Sequence, residues 1–374
     1  MIIKSIGLMS GTSMDGIDAT LMETDGRQII NPIVSCSLSY SAEFKLLLRE
    51  AELEVRQAKS NVSSPEVIKK STELHAEIVL NLLKKANLSP EEVDIIGYHG
   101  QSLYHNPAEG ITIQIGDGQL LSNLTGIKVI NDFRSQDIAN GGQGAPLAPL
   151  YHQALAAKLN LFPLAIVNCG GIANISIING PEESQVIGFD TGPGNVLIDR
   201  YIRNKTSNKE FMDLDGKYGS KGVVSKEILQ KLMSQMSGYL SKPAPKSLDP
   251  SDFYLIDELD DLNFNDACAT LEAFTALSIV SSLKDLPKKW VLAGGGWNNP
   301  VIVKYLKEYL AERLGSFEML LAKEVGIDGT YLEAEIFAYL AARSYFKLPI
   351  SFPMVTGCRA PSLGGNLYLP EKRQ

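Results

Sequence analysis

One local pattern occurs twice in this chain, and the repetition limits its fold more than any other feature. "IGLMSGTSMDGIDATLMET" near the N-terminus reads as an apolar strand, a glycine turn and a second apolar strand. "LAIVNCGGIANISIIN" in the second half restarts the same pattern. A single glycine hairpin is an ordinary tight turn. Two of them in comparable positions argue for two related domains and an internal duplication. A length of 374 residues agrees, because one hydrophobic core rarely serves a chain of that size.

Around the hairpins strands alternate with helices, which places the chain in the α/β class. "IVSCSLSY" adds a third strand. "SSPEVIKKSTELHAEIVLNLLKKAN" predicts a helix, with Ser63 and Glu66 at capping-box spacing, Pro65 in the first turn, and Leu74, Ile78 and Leu82 along one face. "VDIIGYHG" reads as a short buried strand with the polar cluster of His99 and Gln101 just beyond it, and "IKVINDFRSQD" repeats that arrangement. "SQVIGFDTGPGNVLIDRYI" is a strand that turns into a helix at Gly192–Gly194. "KKWVLAGGGWNNPVIVKYLKEYL" is strand, glycine turn and helix, capped by Asn298 or Asn299. "TYLEAEIFAYLAARSYF" predicts an amphipathic helix near the end. "NGGQGAPLAP" is dense in glycine and proline and marks a domain boundary. The N-terminal domain is therefore expected over 1–139 with 347–374, and the C-terminal domain over 140–346.

Charge and composition narrow the partners. A net charge of −8 gives a nucleic-acid-binding role no electrostatic support, although a local basic pocket for an anion stays open. No apolar run approaches the ~20 residues needed to span a bilayer. "MIIKSIGLMSGTS" lacks a basic start followed by a long apolar region, so a cytoplasmic protein with no membrane partner is expected. The four cysteines, Cys36, Cys169, Cys268 and Cys358, form no CxxC pair and suit neither a zinc site nor a disulfide framework. No protein-only metal cage is expected.

Four glycine-bearing stretches and two further charged residues carry chemistry. Glycines and hydroxyls from Ser10 to Gly16 let backbone N–H groups converge on a phosphate, or simply make a turn; no Walker motif is present. The second hairpin, Asn168 to Asn174 with Gly170 and Gly171 at its tip, repeats the arrangement and favours a nucleotide held by both. Gly294, Gly295 and Gly296 open a helix, either to admit a ligand to its N-terminus or to pack it closely on a strand. In "GFDTGPGN", Asp190 stands at a strand end as a general base, a metal-associated group or a helix cap. Arg134 in "NDFRSQD" is suited to anchor a substrate carboxylate, or to make structural ion pairs. Glu333 falls among small and apolar positions of the last helix rather than on a plainly solvated face.

Together these pieces resemble the sugar kinase, heat-shock and actin superfamily. "GLMSGTSMDGIDA", "YHGQS", "NDFRSQD", "GFDTGPGN" and "LAGGGWNNP" are similar, in order and spacing over nearly the whole chain, to the motif set of the anhydro-N-acetylmuramic acid kinase family. The wider superfamily places aspartates where this chain has Met9 and Asn168, so the catalytic charge must come from elsewhere. The resemblance implies a two-domain actin-like ATPase fold of duplicated ribonuclease H-like domains with an interdomain active-site cleft. It implies an enzyme that uses ATP and Mg²⁺ to hydrate and phosphorylate 1,6-anhydro-N-acetylmuramic acid during peptidoglycan recycling, as a homodimer. Asp190 is then the general base, with Glu333 the second catalytic candidate. Gly11, Thr12, Ser13, Met14, Asp15, Gly16, Ile17 and Asp18 would cradle the ATP phosphates, opposed by Gly170 and Gly171, with Gly294–Gly296 near the adenosine. Gln101, Asn131, Arg134 and Asn174 would contact the sugar, with Glu333. The competing readings are another amino-sugar kinase of the superfamily and a nucleotide-dependent sugar sensor without turnover.

Overall fold

β1 (Ile3–Ser10) and β2 (Gly16–Thr24) form the first hairpin, paired antiparallel from Ile3–Thr24 to Met9–Asp18. In the second, β7 (Leu164–Cys169) and β8 (Ile172–Ile178) pair from Leu164–Ile178 to Cys169–Ala173. The computed structural model describes residues 1–11 and 14–371 of the chain. Within them the chain divides into two units, Met1–Asn160 with Tyr331–Gln374, and Leu161–Thr330.

Unit 1 continues through β3 (Ile30–Ser39), α1 (Ala42–Ala58), α2 (Pro65–Ala86), β4 (Ile95–Asn106), β5 (Ile111–Ile115), α3 (Gly118–Thr125), β6 (Val129–Asn131), α4 (Ser135–Ala139) and α5 (Pro149–Leu159). Unit 2 adds β9 (Val186–Pro193), α6 (Val196–Lys205), α7 (Lys226–Leu240), α8 (Phe264–Ser281), β10 (Lys289–Ala293), α9 (Pro300–Leu314) and β11 (Glu318–Leu321). The chain then returns to unit 1 with α10 (Leu332–Tyr345), α11 (Pro353–Thr356) and β12 (Asn366–Tyr368).

The two sheets share one topology. Unit 1 runs β12-β6-β4-β1-β2-β3, with β5 on β4; unit 2 runs β11-β10-β7-β8-β9. In each, the first three strands form an antiparallel meander, and the next two join the first strand's other side in parallel. This is the duplicated ribonuclease H-like, actin-like architecture. The central strands are apolar almost throughout: α10 packs on β1, β2 and β4 of unit 1 with α1 and α2 also against that sheet, and α8 packs on β8 and β9 of unit 2. Each unit has its own core, around Ile6, Leu8, Ile96 and Val129 in the first and Val167, Ile175, Leu271 and Leu292 in the second. No helix among the described residues is long and apolar enough to cross a membrane.

Four local expectations need correction. The cap of α2 is Ser64, whose hydroxyl accepts the Val67 N–H at 3.2 Å, one residue after the expected Ser63. β4 does not stop before the polar cluster: it runs twelve residues, and His99 and Gln101 lie inside it. The glycine-rich 140–149 stretch is a loop within unit 1, and the divisions fall at Asn160 and Thr330 rather than at 139 and 346. The reason is packing. α5 stays with unit 1 because the Tyr151 hydroxyl donates to Glu335, its ring meets Tyr339 edge-on at 5.6 Å, and Lys158 donates to the Ile30 carbonyl. α10 is not amphipathic in place: Ala334 to Arg343 are all buried, because the helix lies against β1, β2 and β4. Glu333 therefore belongs to unit 1.

Candidate active site

In unit 1 the site grows from the end of β1. A bulge in β4 makes Leu8 face Tyr98 but Ser10 face Gln101, and Gly100 takes the left-handed conformation it requires (φ +78°). Gln101 is thereby buried beneath the hairpin, and its amide is fully engaged there. Its Oε1 accepts from the Ser10 hydroxyl, and its Nε2 donates to the carbonyls of Gly11 (2.7 Å) and Ser102 (3.1 Å). Gln101 holds the hairpin rather than offering its amide outward.

The members of the hairpin divide by orientation. Among the described residues, Gly11 has only the Met9 methyl within 4 Å of where a Cβ would stand, which leaves its backbone approachable from them. Met14 is buried with a left-handed backbone (φ 56°) and donates to Gly11 O at 3.2 Å. Asp15 turns outward to an exposed ion pair with Lys45 at 3.3 Å. Gly16 presses against the Leu38 carbonyl of β3, and the Ile17 side chain is in the core. Asp18 is half-buried and accepts the Ser37 hydroxyl at 2.6 Å. Thr12 and Ser13, expected to bind phosphate, lie outside the described residues.

Arg134 is fixed by neighbours the motif does not announce. Its Nε and Nη2 both donate to His99 Nε2, at 3.1 and 3.0 Å, and its Nη1 donates to Gly144 O at 2.6 Å. Because Nε2 accepts twice, His99 is neutral and carries its proton on Nδ1, which donates to Gly100 O at 2.9 Å. Burial and the Arg134 charge hold His99 well below the usual histidine range, which keeps it an acceptor. Burial also lowers Arg134 to about 10, so it stays charged, with one N–H on each terminal nitrogen left for a ligand. Glu333 is exposed, contrary to the expectation of a position off the solvated face, and makes no hydrogen bond among the described residues; the surrounding protein raises its carboxyl and the Arg134 charge lowers it. Arg134, Glu333 and Asp18 thus share one electrostatic neighbourhood. Asn131 lines a pocket of about 240 Å³ with His99, Thr112, Gln114 and Tyr368, and its buried Oδ1 has no partner among the described residues.

In unit 2 the register of β7, β8 and β9 sets Asn168 opposite Asn174, and Asn174 opposite Asp190. Directly opposed residues project from the same face, about 5 Å apart, so these three make a polar row across the sheet. A frame absent from the sequence motifs holds Asp190. Its N–H donates to Lys246 O (3.0 Å), its carbonyl accepts the Tyr239 hydroxyl (2.7 Å), and its Oδ2 accepts the Leu248 N–H (2.8 Å). Oδ1 accepts nothing among the described residues. Burial pushes the carboxyl up to about 7 against the single Leu248 hydrogen bond. A carboxylate tuned near neutrality, with one oxygen free, can take a proton at working pH.

The glycine stretches of unit 2 serve two purposes. Gly294 (φ +94°) and Gly296 pack on Asn168 and Cys169, where a Cβ would collide. Gly295 faces open space, on a pocket of about 480 Å³ whose walls include Leu292, Trp297, Asn298, Leu321, Lys323 and Asp328. Gly170 and Gly171 accept the N–H groups of Gly194, Asn195 and Val196 at the start of α6, and no described residue comes within 4 Å of a Cβ at Gly171. Its backbone is open to an anion.

Comparison with known proteins accounts for these parts together. The family model for anhydro-N-acetylmuramic acid kinase matches residues 3–370. The chain belongs to the anhydro-N-acetylmuramic acid kinase family. A member from Zymomonas mobilis is 42% identical over 375 residues, covering 97% of this chain and 99% of its own length. One from Rhodopseudomonas palustris is 40% identical over 378 residues, covering 99% and 100%. The Acidaminococcus fermentans (R)-2-hydroxyglutaryl-CoA dehydratase component A aligns over 91% of this chain and 99% of its own at 13% identity and TM-score 0.46. As a member of the anhydro-N-acetylmuramic acid kinase family, the chain is a carbohydrate kinase.

Proposed function

We propose that the enzyme converts 1,6-anhydro-N-acetylmuramic acid, ATP and water to N-acetylmuramic acid 6-phosphate and ADP, within cell-wall sugar recycling. Family membership supports the substrate. The observation that carries the mechanism is Asp190, a half-buried carboxylate near pKa 7 with one free oxygen. Asp190 takes a proton from the water that attacks C1. The C1–O6 bond breaks, its electron pair stays on O6, and O6 attacks the γ-phosphorus as ADP leaves. Opening the ring thus supplies the nucleophile, and the chain needs no second base. The chemistry left to the protein is positioning and charge.

The outward N–H groups of Arg134 anchor the sugar's carboxylate, supported by Asn131, Asn174 and Glu333. Gln101 acts through the hairpin it holds. The Gly11–Asp18 and Gly170–Gly171 turns receive the phosphates, and the pocket beside Gly295 receives the adenosine. Mg²⁺ usually needs only one or two carboxylates besides substrate phosphates, a requirement Asp18 and Glu333 fit as neighbours in one electrostatic field. When bound, it neutralises phosphate charge. A homodimer in the cytoplasm completes the reading on the family likeness.

Product analysis in heavy-oxygen water tests the reaction. One labelled oxygen at C1 of a 6-phosphorylated sugar is expected. A phosphorylated product that retains the anhydro ring would overturn it. The Arg134 anchor has its own test in His99→Phe, which keeps a ring against Phe337 (centroids 4.4 Å apart) but removes the acceptor. The sugar KM should rise roughly tenfold, with the ATP KM within about twofold. An unchanged sugar KM would remove Arg134 from the sugar.

A further inference from the structure

A buried carboxyl pair in unit 2 takes part in none of these steps. Glu272, on α8, has no solvent exposure, and its Oε1 accepts the Asn299 Nδ2–H at 2.5 Å. Its Oε2 is buried with no N–H or other donor reaching it among the described residues; the group beside it is the Asp213 carboxyl. Asp213 already accepts the N–H groups of Tyr218 (2.9 Å) and Gly219 (2.8 Å). Gly219, whose N–H the Asp213 carboxylate accepts, also lies against Glu272, where a Cβ would overlap the Glu272 carboxyl. Two ionised carboxylates this close, with no cation, would repel. A proton on Glu272 Oε2 converts the repulsion into a hydrogen bond donated to Asp213 and gives the orphaned oxygen its partner.

The pair reaches the glycine turn through Asn299. That residue caps α9, accepting the Val301 N–H at 2.9 Å, and its own N–H donates to Gly296 O at 3.1 Å. We propose that Glu272, as a neutral acid bonded to Asp213, is a positioning residue for the nucleotide: it ties the 213–222 segment and the α9 cap to α8, and so sets the Gly294–Gly296 wall of the adenosine pocket. This rests on the reading that the pocket beside Gly295 takes the nucleotide's adenosine.

Burial, more than the Asp213 contact, holds the Glu272 carboxyl up to about 9. The other titratable groups that feel it are Cys268, one turn earlier on α8, and Tyr305 on α9, both raised above their ordinary values and so neutral near that pH. Loss of the Glu272 proton at alkaline pH should therefore loosen the clamp.

The test is the ATP KM of the full-length enzyme as a function of pH. In the wild type it should rise roughly fivefold between about pH 8 and about pH 10. Glu272→Gln keeps an acceptor for Asn299 and supplies a permanent N–H for Asp213, so its ATP KM should start within about twofold of wild type and stay flat. Glu272→Ala should raise the ATP KM throughout. An alkaline rise that persists in Glu272→Gln overturns the proposal, and that variant settles the matter even where Glu272→Ala fails to fold. Gly295→Trp, which fills the pocket, separates the underlying reading. An unchanged ATP KM there would remove the adenosine from this pocket, and the proposal with it; a raised one, beside an insensitive Glu272→Gln profile, would overturn the clamp alone.

Discussion

Asp190→Asn is expected to lower kcat by about a thousandfold or more, because the amide keeps the hydrogen bond from Leu248 but cannot take a proton from water. ATP binding should persist within about twofold, since every nucleotide-facing group is unchanged. The wild-type pH profile should carry the same signature. The base works only when ionised, so kcat/KM should fall tenfold per pH unit below about 7 and level off above it. The sign for stability is opposite. A carboxyl whose folded pKa is raised keeps its proton longer folded than unfolded, so folding loses free energy as pH climbs from about 4 to about 7. Asp190→Asn removes that loss and should melt no lower than wild type at alkaline pH. Turnover within about tenfold of wild type, or an acid limb surviving in the variant, would take the base role from Asp190.

The second large effect concerns folding. Gly7 on β1 and Gly97 on β4 lie directly beneath α10. A Cβ on Gly7 would overlap the Ala334 carbonyl oxygen and the Ala338 nitrogen, and one on Gly97 would overlap the Phe337 carbonyl oxygen. The obstacles are helix backbone, which cannot rotate aside. Gly7→Ala and Gly97→Ala should each cost unit 1 about 3 kcal/mol, because the helix must lift from the sheet or the strands must bend. Gly238→Ala, on α7 with nothing within 4 Å of the new methyl, is the control and should gain up to about 1 kcal/mol from helix propensity. Thermal melts followed by near-ultraviolet circular dichroism read both. Equal melting temperatures for Gly7→Ala and wild type would mean that α10 does not rest on this strand as described.

Much of the candidate site was legible because its signals are local. The hairpin glycines and the Asp190 turn announce themselves by composition, and the departures at Met9 and Asn168 pointed to Asp190 before any geometry. The duplicated topology also followed from reading one pattern twice. Gln101 and His99 were visible as polar residues, but their roles were not. A one-residue bulge at Gly100 decides that Gln101 holds the hairpin and His99 orients Arg134. Lys246, Tyr239 and Leu248, which frame Asp190, carry no motif because two of the three, Lys246 and Leu248, contribute only backbone atoms.

The domain boundary shows where local reading stops. Glycine and proline in 140–149 specify a loop, and a loop need not be an edge between folding units. Strands and turns follow from short-range sterics and hydrogen bonding, which neighbouring residues set. Which unit receives α5 and α10, whether Glu333 stands beside Arg134, and whether Glu272 is neutral depend on burial against residues up to hundreds of positions away. Burial is a property of the packed chain, and only the tertiary structure decides it.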